Sequence, residues 1–262
     1  MKIGYEAKRV FHNSSGLGNY SRNLIRAMAE KYSSNEYFLY NPSPGKIPFG
    51  QDFSNIHEVL SGYSNPLMSN LWRQALIPKR AFREANQIVA ASQQTKKHLE
   101  KYLEIPGDQI KVVYQSCDPV FWEKYSEEQI SKTTEKHKLP QDFVLFVGTL
   151  EERKNVDKLL EACQKLKLPL VLIGRATDFW KKAKANAKRP ELVFCPNVPS
   201  NEELAHIYNA AKLFVYPSYF EGFGIPVLEA QACGTPVITS DKSSLPEVAG
   251  PDSILVDPQS ES

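Results

Sequence analysis

The sequence predicts an α/β protein built on parallel sheets and divided into two domains. Three observations predict it. In the second half of the chain, apolar runs of four to six residues alternate with helical stretches, the pattern of a parallel sheet covered on both faces. Two of those runs lead into a glycine turn ahead of a helix, one at Gly148 and one at Gly222 and Gly224. A chain of 262 residues, 42% hydrophobic and 24% charged, has the composition of an ordinary globular protein with core-forming material to spare.

Taken in order, residues 2–6 (KIGYE) read as a first strand. The glycine loop Gly16-Leu17-Gly18 then leads into a helix with Leu24, Ile25, Met28 and Ala29 on one face. Such a loop between strand and helix lets a backbone approach a phosphate. Ser21 stands where a dinucleotide fingerprint wants its third glycine, which argues against an NAD site. Strands are expected at 37–40, 56–60, 87–91 and 111–114, a helix broken at Pro78 over 71–85, and a helix over 93–103 capped by Ser92. The charged stretch 116–140, with Pro119 and Pro140 near its ends, is expected to connect domain 1–115 to domain 141–262. Beyond it, strands are expected at 143–148, 169–173, 192–195, 213–216, 236–239 and 253–256. Helices are expected at 155–167, 178–188, 201–211, 226–233 and 244–249.

Ligands of such sheets bind outside the carboxyl ends of the strands, so the turns after 143–148 and 213–216 should face one crevice. The second turn, 221–225, runs Glu-Gly-Phe-Gly-Ile into Pro226, a residue favoured at the first helical positions. That arrangement leaves free backbone N–H groups and the positive end of a helix dipole, an anion site. Glu221 and Glu229 frame it. One continuous helix would hold them about 12 Å apart, but Gly222, Gly224 and Pro226 assign Glu221 to the loop and Glu229 to the helix. The pair either surrounds a ligand carrying phosphate and hydroxyls, or Glu229 merely complements the dipole and the glycines merely turn the chain. Arg153 and Lys154, beside the first turn, either bind a diphosphate or are solvated cations.

A net charge of +2 argues against a nucleic-acid partner. The run Lys181, Lys182, Lys184, Lys188 and Arg189 reads as a solvated face, with an anionic membrane surface as the other option. No signal-like start or run of about 18 apolar residues occurs. The expected location is therefore the cytoplasm, with peripheral contact at the inner face of a membrane left open. Cys117, Cys163, Cys195 and Cys233 lack zinc spacing and are expected as free, buried or partly buried thiols.

The segments FVGTLEERKN and YPSYFEGFGIPVLEAQACGTPVITSDKSSLPEVAG resemble the two C-domain signatures of glycosyltransferase family 4, and GLGNYSRNLI is similar to its N-domain glycine loop. The family comprises retaining enzymes that use nucleotide sugars and have the GT-B architecture, two Rossmann-like domains facing across a cleft. The resemblance implies transfer of a hexose, mannose being one option, from a nucleoside-diphosphate sugar to a saccharide or lipid-linked acceptor in polysaccharide or cell-envelope glycan synthesis. By this carry-over Arg153 and Lys154 hold the donor diphosphate, and Glu221 is the catalytic residue on the transferred sugar. Gly222, Phe223, Gly224 and Ile225 bind the donor's sugar and phosphate, Glu229 binds its ribose hydroxyls, and Gly16 and Gly18 approach from the acceptor side. No cofactor or metal is expected.

Two departures go with it. No His-Asp pair occurs in the sequence, where family members carry a His-Asp-Leu segment on the acceptor side, and LWRQALIPKR passes straight to AFREANQIVAAS. The chain also stops soon after SILVD. The expectation is an N-domain with an internal deletion and a truncated C-terminus, with donor binding outlasting catalysis. The alternative is a nucleotide-sugar-binding module without turnover.

Overall fold

The computed structural model describes residues 1–12, 16–41, 43–45, 47–60 and 87–260. The chain divides into two compact units, one of residues 1–89 and 98–111, the other of 90–97 and 112–262. The helix expected over 71–85 lies outside the described residues.

In the first unit, β1 (Lys2–Glu6), β2 (Glu36–Asn41) and β3 (Ile56–Leu60) form a parallel sheet in that order. Helices α1 (Lys8–His12) and α2 (Gly16–Lys31) connect β1 to β2. The apolar face read from the sequence is the one turned inward, with Ile25 and Ala29 buried and Leu24 and Met28 partly so. Ala7, Val10, Phe11, Ile25 and Leu39 make the core. Asn55 ties the end of α2 to the sheet through donation to the Ala29 carbonyl at 3.3 Å.

The expected glycine loop is different. Helix α1 was not foreseen, and α2 already begins at Gly16, so Gly16 and Gly18 lie in its first turn. Glycine is tolerated there because the first N–H groups of a helix have no partner within it.

Two short strands, β4 (Ile88–Ala90) and β5 (Ile110–Val112), pair on either side of α3 (Gln93–Leu103). Ser92 caps α3, accepting from the Thr95 N–H at 3.0 Å, as expected. Residues 90–97, with the start of α3, belong to the second unit.

That unit is organised by a six-stranded, wholly parallel sheet. Its strands are β6 (Val144–Val147), β7 (Leu170–Ile173), β8 (Val193–Phe194), β9 (Leu213–Tyr216), β10 (Val237–Ser240) and β11 (Ile254–Val256). The order across the sheet is β8-β7-β6-β9-β10-β11. Every residue of β6 (VLFV) and β7 (LVLI) is buried, because helices cover both faces. The helices are α5 (Val156–Leu166), α6 (Asp178–Ala185), α7 (Asn201–Ala210), α8 (Ile225–Ala232) and α9 (Leu245–Ala249). Strand order reverses between β6 and β9, the Rossmann arrangement, which opens a crevice at their carboxyl ends.

Residues 116–140 were expected as a connection, but they pack as part of this unit. Cys117 and Phe121 join its core, and helix α4 (Glu127–Lys136) is tied to α7 through Thr133 and His206, 2.7 Å apart. Lys136 Nζ and His137 Nε2 both reach the Glu203 carboxylate, at 2.8 and 2.5 Å. The charged composition belongs to the exposed side of α4, on which Thr133 is the buried residue.

Candidate donor-binding site

The loops after β6 and β9 meet at the reversal point, as their place after the carboxyl ends of two parallel strands implied. After β6 the chain passes Gly148, then a 3-10 turn, Glu152–Lys154. Gly174, after β7, comes so close that a Cβ on it would stand 2.0 Å from the Gly148 carbonyl oxygen, so only glycine fits there (φ 146°). The loop then needs a left-handed residue between the 3-10 turn and α5, and Asn155 supplies it (φ 57°). Its carboxamide donates to the Pro258 carbonyl at 2.8 Å and accepts from the Tyr219 hydroxyl at 3.0 Å. The Tyr219 N–H in turn donates to the Arg153 carbonyl at 3.0 Å. The two loops are thereby fastened to each other.

These fastenings bring three of the sequence-derived residues together. Glu221 Oε1 lies 2.5 Å from Lys154 Nζ and 3.0 Å from Arg153 Nη1. Lys154 is buried, with only 9% of its side chain exposed, and it also donates to the Tyr216 hydroxyl. Burial pulls its pKa below the ordinary lysine value, while the Glu221 carboxylate acts in the other direction. Arg153 is half exposed; it donates to the Phe220 carbonyl and pairs with Glu151 at 2.7 Å. Tyr216 is held rigidly, its ring stacked against Phe146 and Phe214 at centroid distances of 5.5 and 5.8 Å. Burial first, then Glu221, raises its pKa well above the ordinary tyrosine value, so it stands as a neutral hydroxyl.

The turn 221–224 has its carbonyls drawn to one side. Ser243 Oγ lies 2.6 Å from the Glu221 carbonyl oxygen, and Ser244 Oγ 2.8 Å from that of Phe223. The Gly222 carbonyl faces two hydroxyls, Ser92 at 2.9 Å and Thr95 at 3.1 Å. In a trans peptide C=O and N–H point opposite ways. The N–H groups of Gly222, Phe223 and Gly224 are accordingly turned away from these hydroxyls, and among the described residues they have no acceptor. Gly224 (φ 120°) leads into α8, whose start has no side-chain cap. Bare amides, a helix start, two cations and a carboxylate make a site suited to an anion that also carries hydroxyls.

Glu229 lies in different surroundings on α8. The Tyr208 hydroxyl donates to its Oε2 at 2.9 Å. Burial pushes its pKa up to about 7, although the bond from Tyr208 works against that. Gly16 and Gly18 belong to the first unit. The exposed lysines Lys181, Lys182 and Lys184 lie on α6, anchored by the buried Trp180; Lys188 and Arg189 follow it, also exposed. All four thiols are free, and Cys195 is exposed rather than buried. No helix among the described residues is long and apolar enough to cross a membrane.

The sequence reading assigned no site role to Tyr216, Asn155, Thr95, Ser243 or Ser244, and took Ser92 only as a helix cap. The serine pair lies inside the second signature segment, which was a usable signal. Ser92 and Thr95 are remote in sequence, and nothing local marks them as reaching this turn.

The chain belongs to the glycosyl transferases group 1, whose family pattern matches residues 127–262. It is 33% identical to O-antigen chain mannosyltransferase B of Escherichia coli over 185 residues, 66% of this chain and 48% of that protein. It is 32% identical to the serotype-specific mannosyltransferase WbdA of Escherichia coli over 190 residues, 68% of this chain and 23% of that protein. The chain thus spans about half, or less, of the curated relatives it matches. Among solved structures, the Anabaena protein HepE in complex with UDP and glucose aligns with a TM-score of 0.68 and 18% identity, covering 99% of this chain and 86% of that one. The fold class is that of GT-B glycosyltransferases, α/β with parallel sheets.

Proposed function

We propose that this chain is a retaining glycosyltransferase of the family 4 type that moves a hexose from a nucleoside-diphosphate sugar to a saccharide or lipid-linked acceptor, in polysaccharide or cell-envelope glycan synthesis. The relatives named as mannosyltransferases make mannose the first sugar to test. The observation that carries the reading is the Glu221 carboxylate joined to both Arg153 and Lys154, beside a turn with unbonded N–H groups.

In the ligand-free site Glu221 neutralises part of the charge of the two cations. A donor diphosphate exchanges for it, taking Arg153, Lys154 and the amides of Gly222 to Ile225. Glu221 is then released to accept from hydroxyls of the sugar. Fixed cations and oriented N–H groups stabilise the diphosphate as it departs, which is where charge develops; no metal or other cofactor is assigned. Glu229 accepts from the ribose hydroxyls. Gly16 and Gly18, in the first turn of α2, offer backbone N–H groups to phosphate or acceptor. A lipid-linked acceptor implies work from the cytoplasm, in peripheral contact with the inner face of a membrane.

The test is release of nucleoside diphosphate from GDP-mannose and UDP-glucose, with and without a mannose-terminated oligosaccharide, with the product's anomeric configuration read by NMR. Acceptor-dependent release with retention, abolished by Glu221→Gln, is expected. Tight donor binding without release under any condition would reduce the chain to a binding module.

A further inference from the structure

We propose that Ser92 and Thr95 are positioning residues for the donor's diphosphate, acting through the Gly222 carbonyl. The inference rests on the donor-site reading above and adds to it a device outside both signature segments. Four hydroxyls engage the three successive carbonyls of the turn, and two of the four belong to residues 90–97. Each hydroxyl has one hydrogen to give. Ser243 and Ser244 therefore account for the Glu221 and Phe223 carbonyls, and the middle one is left to Ser92 and Thr95. Ser92 Oγ also lies 2.9 Å from Thr95 Oγ1. Both hydroxyls reach the Gly222 carbonyl, so removing either loosens its hold and removing both abolishes it.

The segment is itself held in place. The Glu247 carboxylate accepts from the Gln93 and Gln94 N–H groups at 2.7 and 2.8 Å. Tyr114 stacks on Phe223, with centroids 6.0 Å apart. Gly222 has nothing within 4 Å of where a Cβ would be and is exposed, so its own packing does not orient it. Rotating the 222–223 peptide would turn the Phe223 N–H away from the ligand, and the Ser92/Thr95 bonds oppose that rotation. Both hydroxyls are on the far side of the peptide from the N–H they aim, so they need not touch the donor.

The experiment uses the whole 262-residue chain and calorimetric titration with GDP-mannose, UDP-glucose, GDP, UDP, guanosine and uridine. The double variant S92A/T95V should lose roughly tenfold in affinity for every ligand that carries a diphosphate and nothing for the nucleosides. S92T/T95S, which keeps both hydroxyls, should bind as the unaltered chain does. Unchanged diphosphate affinity in S92A/T95V, or an equal loss for nucleosides, overturns the inference while leaving the donor site standing. Failure of the unaltered chain to bind any of the six overturns both. Ser92 also caps α3, so if the double variant does not fold, two measurements replace it. One is amide exchange of Phe223 in GDP-saturated T95V, which should be quicker than in the GDP-saturated unaltered chain; the other is the diphosphate-selective loss in the same variant. Neither effect in T95V would overturn the proposal.

Discussion

Glu221 and Glu229 are eight residues apart in one motif, yet the chain gives them opposite surroundings. Glu221 sits on a loop against a buried ammonium and a guanidinium. Glu229 sits within a helix, partly buried, with a tyrosine hydroxyl as its partner. The first is held by charge and the second by a neutral hydrogen bond. Spacing alone selects both residues, but only packing decides which carboxylate meets a cation and which is left to share a site with a proton.

The sharpest way to break this contrast is to remove the cation. Lys154→Met leaves Glu221 without its buried partner and, on the proposed function, removes a fixed charge from the diphosphate. Single-turnover rates should fall by roughly 1,000-fold, and Lys154→Arg should not restore them, because a planar fork does not fit where a compact ammonium is enclosed. Full activity in Lys154→Met would show that the pairing is only structural.

The next test concerns Glu229. Its folded pKa of about 7 exceeds the ordinary 4.5, so the folded state holds a proton that the unfolded chain releases. Stability is therefore highest below about pH 4.5 with respect to this group, and declines as pH rises toward about 7. The total change is at most about 3 kcal/mol. Urea unfolding of Glu229→Gln, compared with the unaltered chain from pH 5 to pH 8, should show that slope removed. An unaltered slope would place the proton elsewhere.

The smallest effect is expected from Tyr208→Phe. It deletes the bond that favours the charged form of Glu229, which should move the stability transition above pH 7 and cost about 1 kcal/mol. A transition displaced to lower pH would contradict the assignment of Tyr208 as donor.

Much of the second unit was legible because buried parallel strands are nearly pure apolar runs. LFVY and VLFV stand out against any neighbour, and glycine at their ends marks the turns. Helix α4 was not legible by periodicity, since EEQISKTTEK has no apolar stripe; its local signal, the capping pair Ser126 and Gln129, both of whose bonds form, went unread. The Arg153–Lys154–Glu221 cluster followed from two turns at one sheet edge. What holds those turns did not. Asn155 bonds to Pro258, and Ser92 to Gly222, across separations that no local pattern encodes. The α2 glycines misled for the opposite reason: glycine signals a loop strongly, and a helix start can also accept it.

The reversal of strand order has a kinetic side. Val144 pairs with Leu213, and Leu145 with Phe214, while β7, β8 and three helices lie between them in sequence. Those neighbours can associate locally, but β6 and β9 must close a long loop first, and such non-local pairings form slowly. The candidate crevice lies outside that one seam, so it should come into being late in folding, as a consequence of the seam closing. A partly folded chain would carry Lys154 and Glu221 on separate, unjoined loops, with neither yet able to recognise a ligand.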